Sequence, residues 1–153
     1  MAKTKTKAAK TKLVPLREGM FKMPRSITGK PRLYGQRCST CGEVFANQRV
    51  YCANCCQETL EQITLSTEGE VATFTIVRQQ LPGSFMQAPY VLARVRLAED
   101  VTVQTIITDV ELDEVAIGMP VEICLRQLTE DDDGNSVVNF FFKPAKRARG
   151  TAA

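Results

Sequence analysis

The chain has 153 residues with a formal net charge of +3, six cysteines and no histidine, a length that fits one ordinary domain or two very small ones. The lack of histidine excludes Ser-His and Cys-His nucleophile pairs within this chain, so we do not expect it to be an enzyme alone. Residues 60–142 carry 4 basic and 14 acidic residues, a net charge of −10, which disfavours binding to a nucleic-acid backbone.

The termini are predicted to be disordered basic tails at residues 1–12 and 146–153. The first contains five lysines and no acidic residue; a mitochondrial transit peptide is the competing interpretation, although the segment lacks arginine and an apolar helical face. With no secretory signal, and no apolar run near the ~20 residues of a membrane span, we expect a cytoplasmic protein without a membrane segment. Residues 13–37 contain three prolines and three glycines, which predict an extended arm lying against the chain or a partner.

Four cysteines form two CxxC pairs separated by ten residues: Cys38 with Cys41, and Cys52 with Cys55. Two such turns facing each other place four thiolates around one tetrahedral ion, the arrangement of a structural zinc site. We therefore predict a zinc ribbon over residues 38–60 with these four ligands. Iron in a rubredoxin-like site and four unmetallated thiols are the alternatives. Cys56, next to the second pair, is either a spare thiol or a ligand in place of Cys55.

The pattern then changes to short runs rich in β-branched and aromatic residues, with partial alternation of period two. Strands are predicted at 71–78, 90–97, 101–108, 121–128 and 137–143, with turn signals that include 68–69 and 131–135. Five such strands over residues 61–145 predict an OB-like barrel, because closure removes exposed edges. A small sandwich is the alternative. One helical turn is predicted at 113–117, and the fold class is mainly β.

Several segments in fixed order resemble the zinc-ribbon/OB-fold family long catalogued as a domain of unknown function. They are PRLYGQRC, the two CxxC pairs, LSTEGEVATFTIVR, APYVLARVRLAED, IGMPVEICLRQL and VVNFFFKPA. The resemblance extends from about Arg17 to Ala145. Two residues depart from it: Asp100, after Glu99, and Cys56 both stand where glycine is common in the family.

The resemblance implies a non-catalytic subunit that accompanies a thiolase-superfamily enzyme in a hetero-oligomer. It also implies a barrel that binds acyl-CoA and the partner, and not nucleic acid. The subgroup that it favours serves aromatic or fatty-acyl degradation, with benzoylsuccinyl-CoA thiolase as the specific expectation. On this hypothesis the ribbon and arm dock on the thiolase-like subunit, and the 79–89 loop helps to enclose the pantetheine arm of the acyl-CoA. Phe85, Pro89 and Tyr90 are the candidate substrate-binding residues.

A nucleic-acid-binding zinc-ribbon/OB module is the alternative function, since both folds occur in such proteins. It requires a basic, aromatic-rich barrel face, whereas the barrel half is acidic and the chain has no tryptophan. A second alternative is an electron-transfer protein that holds iron at the same cysteines.

Overall fold

The computed structural model describes residues 12–146, so the predicted basic tails lie outside the described residues except at their inner ends. This part of the chain is built from ten strands. No helix in it has the length and hydropathy that a membrane crossing requires. The strands are β1 (Leu13–Pro15), β2 (Phe21–Lys22), β3 (Arg32–Cys38), β4 (Val44–Phe45), β5 (Leu60–Thr64), β6 (Glu68–Val77), β7 (Tyr90–Leu97), β8 (Thr102–Ile107), β9 (Pro120–Glu130) and β10 (Ser136–Pro144).

The last five strands close into a barrel. They pair in the order β6-β7-β8-β10-β9, and β9 returns to pair with β6. All contacts are antiparallel except that of β8 with β10, which is parallel at Ile107 and Phe142. β1 adds a parallel strand to β10. The five predicted strands and the OB-type closure are therefore confirmed.

The remaining strands form a four-stranded sheet around β3, which pairs with β2, β4 and β5. The pairing with β5 is the longest: Tyr34–Cys38 runs antiparallel to Leu60–Thr64. The end of the predicted arm is thus the central strand of the sheet that carries the cysteines.

The small sheet and the barrel share one hydrophobic core. Phe21, Leu33 and Leu65 belong to the same buried cluster as the barrel residues Val71, Val95 and Phe142. The rings of Phe21 and Phe140 meet edge to face, with centroids 5.9 Å apart, a favourable aromatic geometry. The ribbon sheet is therefore held against the barrel by packing as well as by the chain.

An ion-pair cluster adds a polar link between the arm and the barrel. The Lys30 ammonium lies 2.7 Å from a carboxylate oxygen of Glu122, and the Lys143 ammonium lies 3.6 Å from the other. The Glu122 side chain is only 13% exposed. The hydrogen bond from Lys30 is the main reason that the pKa of Glu122 is lowered, because it favours the charged carboxylate.

Two local predictions were wrong. Residues 68–69, predicted as a turn, are the first two residues of β6. Gly69 does not mark a turn there; it allows the close approach of β6 and β7, because a Cβ at this position would meet the Arg96 carbonyl oxygen. Residues 113–117 do not form a helical turn. The backbone there makes a hydrogen-bonded turn, in which the Glu114 N–H donates to the Glu111 carbonyl at 3.1 Å.

Candidate metal centre

The first CxxC pair sits in a knuckle between β3 and β4. The Cys38 N–H donates to the Glu43 carbonyl at 2.9 Å, and the Gly42 N–H donates to the Cys38 carbonyl at 2.8 Å. Gly42 has φ +80°, a conformation that glycine adopts without steric cost. This turn leaves the sulfurs of Cys38 and Cys41 free to point to one side.

The second pair repeats the same hydrogen bonds. The Cys52 N–H donates to the Gln57 carbonyl at 2.9 Å, and the Cys56 N–H donates to the Cys52 carbonyl at 2.9 Å. Cys56 therefore holds the position that corresponds to glycine in the first knuckle, and its φ is +61°. Its side chain is exposed, and the four-thiol cluster contains Cys55 instead.

The four predicted cysteines converge on one point. The sulfurs of Cys38 and Cys55 are 3.6 Å apart, those of Cys41 and Cys52 are 3.5 Å apart, and all four lie within 4.8 Å of one another. A tetrahedral thiolate site with metal–sulfur bonds of about 2.3 Å has sulfur–sulfur edges of roughly 3.8 Å. The cluster thus fits such an ion, while its separations exceed the ~2.05 Å of a disulfide bond.

The ionisation of these thiols is strongly unequal. The hydroxyl of Thr59 is the main cause that lowers the pKa of Cys38 to about 6. The Gln57 backbone N–H favours the Cys55 thiolate, but burial and the three neighbouring sulfurs outweigh it and raise the pKa of Cys55 to about 12. Four sulfurs in this space cannot all carry negative charge unless a cation balances it, and a divalent metal ion supplies that charge.

Thr59 contacts the cysteine cluster, and the sequence did not reveal this contact. Its Oγ1 lies 3.3 Å from the Cys38 sulfur and 2.7 Å from the Thr40 hydroxyl, and its carbonyl accepts from the Ser39 N–H at 2.9 Å. Such partners orient metal ligands and tune their charge. A single threonine between the ribbon and β5 carries no spacing signal, so only the fold identifies it.

The candidate substrate residues Phe85, Pro89 and Tyr90 lie together on the loop between β6 and β7 and at the start of β7. The Phe85 side chain is 57% exposed. The loop is held by Gln80, whose Nε2 donates to the Met86 carbonyl at 3.1 Å and whose Oε1 accepts from the Ala88 N–H at 2.8 Å. The loop therefore presents the apolar side chain of Phe85 from a backbone held by hydrogen bonds. None of the three residues lines the groove between the ribbon and the barrel.

A groove at the junction of ribbon and barrel was not predicted. It consists of two adjoining cavities of about 470 and 250 Å³. Both are lined by Met20, Ala46, Asn47, Val103 and Phe140. These residues come from the arm, the ribbon and two barrel strands, so no local pattern in the sequence joins them.

A four-cysteine ribbon packed on a closed five-stranded OB barrel defines the class of this protein. Residues 62–126 match the family described as the C-terminal OB-fold domain of ChsH2. A "DUF35 domain-containing scaffold protein" of Methanocaldococcus jannaschii is 38% identical over 122 residues, which cover 78% of this chain and 86% of that protein. The chain belongs to the DUF35 family, as the resemblance in the sequence predicted.

Two further relatives are named for enzyme complexes. "Benzoylsuccinyl-CoA thiolase subunit BbsA" of Geobacter metallireducens is 28% identical over 148 residues, which cover 94% of this chain and 98% of that protein. The solved structure of the "Ltp2-ChsH2(DUF35) aldolase" aligns with a TM-score of 0.64 and 25% identity, covering 75% of this chain and 86% of that one.

Proposed function

We propose that this chain is the non-catalytic accessory subunit of a thiolase-superfamily complex that cleaves or forms a C–C bond of an acyl-CoA. The observation that carries the proposal is the similarity to the thiolase subunit BbsA over nearly the full length of both chains. The aldolase structure, which shares the fold, and the scaffold proteins of the same family support it. The chain contains no histidine, the most common general base, and in this proposal the catalytic partner supplies the acid–base residues of the reaction.

The four clustered cysteines hold a structural zinc ion in this proposal. A closed set of four thiolates leaves no open coordination position for a substrate, and the sulfur separations suit a tetrahedral ion. Metal analysis of the purified chain tests this point. About one equivalent of zinc in a colourless protein supports it, whereas iron with visible charge-transfer absorption favours a rubredoxin-like site.

The 79–89 loop contributes to the acyl-CoA site that the two subunits share. Its exposed Phe85, together with Pro89 and Tyr90, faces the substrate side of the complex and helps to enclose the pantetheine arm. The ordered backbone and the exposure of Phe85 support this role, since exposed apolar side chains on fixed loops are typical of binding surfaces. Aromatic acyl-CoA compounds of the benzoylsuccinyl-CoA type are the proposed substrate class, by similarity to BbsA.

The accessory role is tested by purification of the tagged full-length chain from its host. Mass spectrometry of the co-purifying chains and the native mass of the assembly are the two measurements. A thiolase-family subunit recovered in fixed stoichiometry supports the proposal. A zinc-loaded monomer that is recovered alone under several growth conditions contradicts it.

A further inference from the structure

The outer face of the barrel sheet β6-β7-β8 carries an exposed arginine, Arg94. Antiparallel partners lie on the same side of a sheet, and the register places Arg94 between Thr73 on β6 and Gln104 on β8. The next row holds Leu92 with partners on both strands, and Tyr90 pairs with Val77 beyond it. The side chains of this outer surface, called the Arg94 face below, are Thr73, Thr75, Val77, Tyr90, Leu92, Arg94, Gln104 and Ile106.

The charge of Arg94 has no acidic partner among residues 12–146. Arg96 pairs with Glu70, and Arg126 pairs with Asp109. In contrast, no carboxylate of residues 12–146 lies within 4.0 Å of Arg94, which is exposed. Two of the four arginines in residues 60–142, Arg96 and Arg126, thus have an acidic partner, although this segment contains 14 acidic residues.

Arg94 has polar partners, Thr73 and Gln104, in its own row, and the partly buried apolar side chain of Leu92 in the next row. A shallow cavity of about 170 Å³ lies between Arg94, Gln104, Thr75 and Leu92. The loop that leaves this face at Val77 and returns at Tyr90 carries Leu81, which is 56% exposed. An arginine beside partly buried apolar side chains is the composition typical of a protein interface, where arginine and aromatic residues contribute most of the binding free energy.

We propose that the Arg94 face binds the catalytic subunit, and that Arg94 receives a carboxylate which that subunit presents among apolar side chains. This inference rests on the proposed accessory role. A second copy of this chain is a poor occupant, because a two-fold contact would bring two uncompensated Arg94 charges together. Nucleic acid is a poor occupant as well, since the barrel half has a net charge of −10.

The test uses the thiolase-family subunit that co-purifies with the tagged chain, separated and mixed again with purified full-length variants. Arg94→Gln and Leu81→Asp should each weaken the complex at least tenfold in Kd, while both variants keep the wild-type circular dichroism spectrum and melting temperature. The matched controls are Arg126→Gln, which removes a paired arginine, and Ile117→Asp, which changes an apolar residue 72% exposed in the loop before β9. Both controls should bind within twofold of the wild type.

Each contrary result has a distinct meaning. If all four variants bind the thiolase-family subunit equally well, the Arg94 face is wrong while the accessory role stands. If the wild-type chain recovers no such subunit, both proposals fail together. A dimer of the isolated chain that Arg94→Gln disrupts, or binding of a labelled oligo-dT that the same variant abolishes, would assign the face to a second copy or to nucleic acid and overturn the proposal.

Discussion

Two residues at which the sequence departs from the family resemblance have a positive φ. Cys56 (φ +61°) closes the second knuckle and Asp100 (φ +59°) closes the turn after β7, where its N–H donates to the Leu97 carbonyl at 3.1 Å. The resemblance led us to expect glycine at both positions, and the backbone has the positive φ that glycine favours. Aspartate tolerates this region better than most residues, so the steric cost is expected to be greater at Cys56.

Replacing Cys56 by glycine is therefore expected to stabilise the protein by about 1 kcal/mol, through relief of the left-handed strain. The metal content should stay at one equivalent, because the Cys56 sulfur is not part of the cluster. Thermal unfolding and metal analysis of Cys56→Gly measure the two effects. Cys55→Gly is the matched control and should lose the metal; loss of metal from Cys56→Gly would instead make Cys56 a ligand.

The exposed ring of Phe85 leads to a prediction on the assembled complex. Phe85→Ala should raise KM for the acyl-CoA about tenfold with little change in kcat, because it removes contact made equally with the ground state and the transition state. Ile117→Ala, at an exposed apolar position of a different loop, should leave both constants unchanged. Steady-state kinetics with the catalytic subunit decide the matter, and an unchanged KM for Phe85→Ala would remove this residue from the substrate site.

At the scale of elements, local signals sufficed for the strands and the cysteine cluster. Alternating apolar residues predicted β6 to β10, and the CxxC spacing predicted the thiols that meet between β3 and β5. Long-range contacts did not show in the sequence. Three such contacts join segments far apart in the chain: the pairing of β3 with β5, the Lys30–Glu122 ion pair and the groove at Phe140. No residue spacing or hydrophobic period in the sequence predicts them.

Gly69 was interpreted as a turn signal, whereas the glycine is required by the close packing of β6 against β7. This close packing gives a third prediction. A Cβ at this position would lie against the Arg96 carbonyl oxygen and 2.8 Å from the Val95 side chain, inside a β6-β7 pairing that fixes both neighbours. Gly69→Ala is expected to cost about 2–4 kcal/mol in the free energy of unfolding, as overpacking against backbone does. Urea denaturation measures it; Thr73→Ala, at an exposed position of the same strand, should change stability by less than about 0.5 kcal/mol.

The link between the arm and the barrel is expected to depend on pH. The pKa of Glu122 is lowered, mainly by the hydrogen bond from Lys30. A carboxyl group with a lower pKa in the folded state stabilises the fold above its unfolded pKa, and the contribution is lost as pH falls through the folded pKa. Glu122→Gln should therefore cost about 1 kcal/mol at pH 7, and the cost should shrink below about pH 4.

Denaturant unfolding of both proteins at several pH values measures this difference. Glu130→Gln is a suitable control, because Glu130 is exposed at the end of β9 and makes no ion pair with residues 12–146. A cost for Glu122→Gln that stays constant from pH 7 to pH 3 would show that the carboxylate acts through packing and not through its charge.

At the scale of the whole molecule, the barrel and the ribbon are stabilised in different ways. The barrel has a core of buried side chains from all five strands, including the fully buried Val71, Val95 and Phe142. Within residues 38–59 the only buried residues are Cys38 and Cys52, two of the proposed ligands. The ribbon tip therefore has no apolar core of its own, and its order is expected to depend on the metal.

Removal of the metal should thus loosen one part of the molecule and leave the other folded. Hydrogen exchange of a chelator-treated sample should become faster in residues 38–59, while β7 and β8 keep their protection, because their amides belong to the closed barrel. Cys55→Ser without chelator should give the same pattern, which separates loss of the ion from side effects of the chelator. Unfolding of the barrel in both samples would mean that the metal holds the entire fold, whereas unchanged exchange in the ribbon would show that the four thiols are not a structural metal site.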